Sequence, residues 1–149
     1  MIPDSLTTGI AHPFASWPIQ DVPHRAPGVY TIWDGDALVY VGMAGRSHST
    51  WKEDGKRKGL WNRLNSHAGG RRSGDQFCVY VCDRLVIPDL TSEQMAGLRG
   101  GTFSLDAATR TYIRTRLSFR WAVTTDDVAA FSLEEQARRD LKPFLNPKR

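Results

Sequence analysis

Between Ala26 and Gly42 the chain alternates as strands do. Gly28-Val29-Tyr30-Thr31-Ile32-Trp33 and Ala37-Leu38-Val39-Tyr40-Val41-Gly42 are runs of β-branched and aromatic residues, and Asp34-Gly35-Asp36 lies between them. An acidic, glycine-centred link between two such runs predicts a β-hairpin. Side chains alternate faces along a strand, so Tyr30 and Ile32 share one side, and the short turn brings Tyr40 back towards Tyr30.

Elsewhere the period changes. Met43 to Lys58, rich in Gly, Ser, Lys and Arg, predicts an exposed loop, with Trp51 either stacking on a nucleic-acid base or anchoring the loop to the core. Gly59 to Ala68 sets Leu60, Trp61, Leu64 and His67 at helical spacing, with Gly69-Gly70 as the stop. Gln76 to Ile87, QFCVYVCDRLVI, is dense in β-branched and aromatic residues and predicts a third strand that completes the sheet. Thr91-Ser92-Glu93 opens a short helix closed by Gly100-Gly101. Ser104 caps another over Leu105 to Leu117, with Ala108, Tyr112 and Ile113 on one face and Arg110, Arg114 and Arg116 on the other. Phe119 to Thr124 returns to strand composition, and Asp126 or Asp127 caps a last helix over roughly Val128 to Leu141. Met1 to Ala26 mixes Pro3, Pro13, Pro18 and Pro23 with isolated apolar residues, which predicts an extended arm packed on the domain or on a second copy.

A chain of 149 residues, 40% hydrophobic and 24% charged, is one domain of ordinary globular composition. No run is long enough to cross a membrane, and Met1 to Gln20 lacks the basic start and apolar centre of a signal peptide, so the cytoplasm is the expected compartment. Cys78 and Cys82 have no further zinc ligands at suitable spacing, since His12, His24, His48 and His67 are scattered, and buried free thiols are expected. The net charge of +4 is concentrated in Arg46, Lys52, Lys56, Arg57, Lys58, Arg63, Arg71 and Arg72, opposed by Glu53 and Asp54. Such a cluster can bind DNA phosphates in a salt-dependent way, and a solvated basic loop accounts for the charge equally well.

Gly28-Val29-Tyr30 and, ten residues on, Tyr40-Val41-Gly42 resemble the paired signature of the GIY-YIG endonucleases, with valine replacing isoleucine in both triplets. The helix that follows carries Arg63, as the family does, and His67 one turn on, as some restriction-type members do. In FSLEEQARRDLKPFLN, Glu134, Pro143 and Asn146 match the family's acidic metal ligand, proline and closing asparagine. Glu135 would point about 100° away around the helix and is the weaker candidate.

The resemblance implies an α+β fold: a small three-stranded, mostly antiparallel sheet with flanking helices in the order β-β-α-β-insertion-α. It divides the chain into an arm at 1–26 and a single nuclease domain at 27–149. The insertion, at about 88–125, would add an edge strand and a DNA-facing helix. The implied activity is that of a divalent-metal-dependent, restriction-type DNA endonuclease using Mg²⁺ or Mn²⁺ and no nucleotide cofactor. A homodimer would suit palindromic sites. Tyr30 or Tyr40 would be the general base, Arg63 would bind the scissile phosphate, and His67 would shuttle a proton or hold a phosphate. Glu134 would hold the metal, with Asn146 bonding the site or fixing the chain beside it. DNA contacts would fall to Arg46, Lys52, Lys56, Arg57, Lys58, Arg71 and Arg72. Met43 stands where some members carry a lysine. The competing readings are a catalytically silent nucleic-acid-binding module on the same fold and a repair or structure-directed nuclease.

Overall fold

The computed structural model describes residues 1–45 and 59–148. The basic loop, Trp51 and the DNA-contact candidates Arg46, Lys52, Lys56, Arg57 and Lys58 lie outside the described residues. The fold is α+β. Among the described residues, β1 (His12–Pro13), β2 (Gly28–Asp34), β3 (Ala37–Ala44) and β4 (Leu117–Val123) form one antiparallel sheet in the order β1-β4-β2-β3. Its helices are α1 (Leu60–Gly69), α2 (Gln76–Val81), α3 (Ser92–Gly100), α4 (Leu105–Arg116) and α5 (Asp127–Leu141).

The hairpin forms as the alternation predicts. Gly35 takes φ +60° at the turn, and the register sets Tyr30 opposite Gly42 and Ile32 opposite Tyr40. The third strand does not form where it is expected. Gln76 to Ile87 is helical: α2, then a wide π-type turn over Cys82–Val86 and a 3-10 turn over Ile87–Asp89. Asp75 caps α2 by accepting from the Cys78 N–H at 3.1 Å, and Phe77, Cys78, Val81, Cys82 and Val86 are buried at helical spacing. The place of that strand is taken by β4, which pairs with β2 from Gly28↔Val123 to Asp34↔Leu117. Far from adding an edge strand, the 88–125 region thus supplies an interior one. On the arginine face of its helix Arg110 is exposed, and the other two arginines have partners within the protein. Arg114 donates to the carbonyls of Ala68 and Trp17, and Arg116 pairs with Asp34 at 3.2 Å.

The sheet buries both faces. Tyr30, Ile32, Tyr40 and Phe119 share one core with Leu60, Leu64, Phe77 and Ile113 from α1, α2 and α4. Val29 and Val41 meet Ala130 and Ala137 of α5 and Leu6 of the arm. The arm is part of these cores, with Leu6 and Phe14 fully buried and β1 paired to β4. It also starts α1, which has no side-chain cap: the carbonyls of His24, Ala26 and Pro23 accept from the N–H groups of Gly59, Leu60 and Trp61. At the other end of the chain, Phe144 and Leu145 donate backbone N–H groups to Leu38 and Val39, and so cover the outer edge of β3.

One close approach holds the hairpin face together. A side chain at Gly42 would fall on the Tyr30 phenol, because the ring crosses directly over the Gly42 Cα. Gly42→Ala is therefore expected to cost about 1–3 kcal/mol through overpacking. Urea denaturation measures the loss, and a variant as stable as wild type would contradict the crossing.

Candidate active site

Four of the residues singled out from the sequence converge on the buried end of the hairpin. The Tyr30 and Tyr40 ring centroids are 6.3 Å apart, and His67 lies 5.4 Å from the first and 6.0 Å from the second. The Tyr30 hydroxyl and His67 Nε2 are hydrogen-bonded at 2.6 Å, and neither residue has any exposed surface. Arg63, one helical turn before His67 on α1, is close enough for its charge to act on both phenols.

Behind His67 stands Asp75, which is 3% exposed. Its Oδ2 accepts from His67 Nδ1 at 2.8 Å and from Ser66 Oγ at 2.6 Å, while Oδ1 accepts the Cys78 N–H. Burial opposes charge on this carboxyl, but the hydrogen bonds from His67, Ser66 and Cys78 outweigh it and hold Asp75 below the usual carboxylate range. Burial pushes the His67 pKa down and outweighs the hydrogen bond and charge of Asp75, which raise it, with the Arg63 charge adding to the fall, so the imidazole is neutral at pH 7. An ionised carboxylate can only accept, so Nδ1 carries the ring proton and Nε2 is the acceptor facing the Tyr30 O–H. Burial also raises both phenols, Tyr30 well above its ordinary value and Tyr40 to about 12. Neither is an anion at neutral pH.

Arg63 joins this buried cluster to solvent. It lines a cleft of about 600 Å³ together with Met43, Asn62, Ser66 and Gly74. A guanidinium on the wall of an open cleft presents a planar fork suited to a phosphate.

Glu134 and Asn146 occupy different positions. Glu134 lies with Ala130 and Ala137 on the buried stripe of α5, the helix packed against the sheet face opposite α1. Its Oε1 is held by Arg138 at 3.0 Å, and its charge reaches Tyr40. Among the described residues no hydrogen bond links it to Tyr30, Tyr40, Arg63 or His67, and no group of three or more His, Cys, Asp or Glu could hold a metal ion. Glu134 therefore fits a hard divalent cation only as a lone carboxylate, with water and phosphate oxygens completing the shell. The Asn146 side chain accepts from the Val41 N–H at 2.8 Å and donates to the Val41 carbonyl at 2.9 Å, fixing the strand between Tyr40 and Gly42.

Of the basic residues in view, Arg71 is exposed, whereas Arg72 pairs with Asp106 at 2.7 Å. Cys78 and Cys82 are buried free thiols. Asp75 is the site residue that sequence reasoning missed. Its signal was present, an aspartate just before an i, i+1, i+4 apolar pattern, but it was hidden once Gln76 to Ile87 had been read as a strand. No helix among the described residues is long and apolar enough to cross a membrane. No protein-family model, characterised protein or solved structure matches the chain.

The depressed His67 pKa sets a pH dependence. As pH falls below about 6.5, the ordinary histidine value, the unfolded chain takes up the His67 proton before the folded one does, so stability falls. The depressed Asp75 adds a second loss below about pH 4. As pH drops below about 6.5, wild type is expected to lose stability more steeply than His67→Gln, by at most about 1.4 kcal/mol per pH unit. Parallel slopes in urea denaturation of the two proteins would contradict a neutral buried His67.

Proposed function

We propose that the protein is a divalent-metal-dependent DNA endonuclease of the GIY-YIG type, acting as a restriction-type enzyme. The observation that carries this reading is the convergence of Tyr30, Tyr40, Arg63 and His67 on one buried cluster whose arginine opens into a cleft. A fold that needed only a hydrophobic core would gain nothing by burying two phenols, an imidazole and a carboxylate together. Each carries a desolvation cost that only specific hydrogen bonds offset.

Hydrolysis of a phosphodiester needs a proton acceptor for the attacking water and positive charge on the phosphate. Tyr30 takes the water's proton, with His67 behind it, and Arg63 binds and orients the scissile phosphate. Tyr40 packs beside both rings. Glu134 would hold Mg²⁺ or Mn²⁺, which when bound stabilises the negative charge on the phosphate and the departing oxygen. Asn146 acts at one remove, by fixing the backbone next to Tyr40. Arg71 would add a phosphate contact outside the cleft.

Supercoiled plasmid DNA incubated with the purified protein is expected to be cut with Mg²⁺ and left intact with EDTA. Arg63→Ala and Glu134→Ala should each lower the rate at least about 100-fold. Cleavage that survives in Glu134→Ala would remove the metal assignment. Salt-dependent binding without cleavage would replace the endonuclease with a nucleic-acid-binding module. Discrete fragments would identify sequence-specific cutting, as the restriction-type reading requires.

A further inference from the structure

We propose that Asp75 is a positioning residue that holds His67 in the tautomer whose bare Nε2 takes the Tyr30 proton, making Tyr30, His67 and Asp75 a proton relay beside the cleft. Its chemistry rests on the nuclease reading above, and its assignment rests on geometry. The three groups form an unbroken chain, Tyr30 Oη to His67 Nε2 at 2.6 Å and His67 Nδ1 to Asp75 Oδ2 at 2.8 Å. The groups facing His67 are Tyr30 from β2, Tyr40 from β3, Arg63 from α1 and Asp75 at the start of α2, with the Phe77 ring centroid at 4.6 Å. Tyr40 presents its ring at 85° to the imidazole, with no hydrogen bond to it among the described residues, whereas Tyr30 is bonded to it directly. The relay therefore singles out Tyr30 as the base.

Helix capping does not explain the rest of Asp75. A capping aspartate needs one oxygen for the helix N–H groups and leaves the other to water. Here Oδ1 takes the Cys78 N–H, and Oδ2 is buried and shared between His67 and Ser66. Its hydrogen-bond partner Ser66 and its chain neighbour Gly74 line the same cleft as Arg63, so the relay borders the proposed phosphate site.

In the reaction, the attacking water gives a proton to Tyr30 Oη as the phenol's own proton passes to His67 Nε2. The water oxygen forms the new bond to phosphorus. The ester P–O bond breaks with its electron pair on the departing oxygen, which takes a proton from solvent. The imidazolium is offset by the Asp75 carboxylate until its proton returns through Tyr30 to solvent, so one water is consumed per bond cut. Tyr30 has no exposed surface in the free protein. Arg63 acts on that phenol and also lines the cleft, so its engagement with a phosphate is the movement that would admit the water to the phenol oxygen.

The test is Asp75→Asn, which keeps a good helix cap but offers an amide N–H₂ to Nδ1 and so selects the opposite tautomer. Nitrogen NMR of the wild-type imidazole should show Nδ1 protonated and Nε2 bare at neutral pH, and the two should exchange in the variant. On plasmid DNA the variant's kcat should fall about 10²–10⁴-fold with KM little changed. A wild-type His67 protonated on Nε2, or a variant that cleaves at the wild-type kcat, would overturn the relay while leaving the nuclease in place. A wild type that cuts no DNA would instead overturn the nuclease reading, and the relay's catalytic role with it.

Discussion

A phenol hydroxyl sealed from water must find its partners inside the protein, and much of the structure is arranged to supply them to Tyr30. An unmet hydroxyl at full burial costs on the order of 1–3 kcal/mol. His67 meets that need at 2.6 Å. His67 in turn leaves an N–H to be met, which Asp75 accepts, and Asp75 as an ionised carboxylate requires the further donors Ser66 and Cys78. Each step moves the unsatisfied polarity one residue further from the sheet until it ends at a helix N-terminus, where backbone N–H groups are in surplus. Gly42 belongs to the same constraint. The ring can lie across the neighbouring strand only because that strand has no side chain there.

The two ends of the chain hold this cluster in place from outside. The arm lends three carbonyls to the first turn of α1, and so sets where Arg63 and His67 point. Arg114 of α4 closes the far end of α1 by donating to the Ala68 carbonyl, where the helix dipole also favours a cation. On the other side, the segment around Leu145 and Asn146 pairs with the exposed edge of β3 through both the backbone and a side-chain amide. Neither end could be trimmed without loosening the helix or the strand that carries the site.

Local signals were the legible ones. The hairpin, α1, α3, α4 and α5 follow from alternation, caps and stops that lie within a few residues of each other. The Thr91–Gln94 capping box, the Ser104 and Asp126 caps and the left-handed Gly70 and Gly101 are all present. Tyr30, Tyr40, Arg63 and His67 were legible for the same reason, since a hairpin and the next helix bring them together. What failed was non-local. Phe77, Val79, Tyr80 and Val81 suit a buried helix as well as a strand, and the place beside β2 is filled by β4, about forty residues on in the chain. Nothing within Met1 to Ala26 says that Phe14 will lie 4.8 Å from Phe119. Asp75 was lost as a consequence of the wrong element, not for want of a signal.

The two buried carboxylates among the described residues are satisfied in opposite ways, and the difference bears on which can accept a cation. Asp75 is held by three donors that cannot leave: an imidazole locked between two partners, a helix hydroxyl and a backbone N–H. A metal ion arriving there would have to break short bonds in a sealed interior and strand their donors, at a cost of 1–3 kcal/mol each on the usual order. Glu134 is held by Arg138, a long side chain one turn along the same helix that already has a second acceptor in the Pro147 carbonyl at 3.1 Å. Releasing Glu134 frees the Arg138 Nη1 while Nη2 keeps the Pro147 carbonyl, on a side chain that still reaches solvent, so the exchange strands less than it would at Asp75. The two carboxylates thus differ in how firmly they are held: Asp75 by an imidazole, a hydroxyl and a backbone N–H, Glu134 by one long side chain on its own helix.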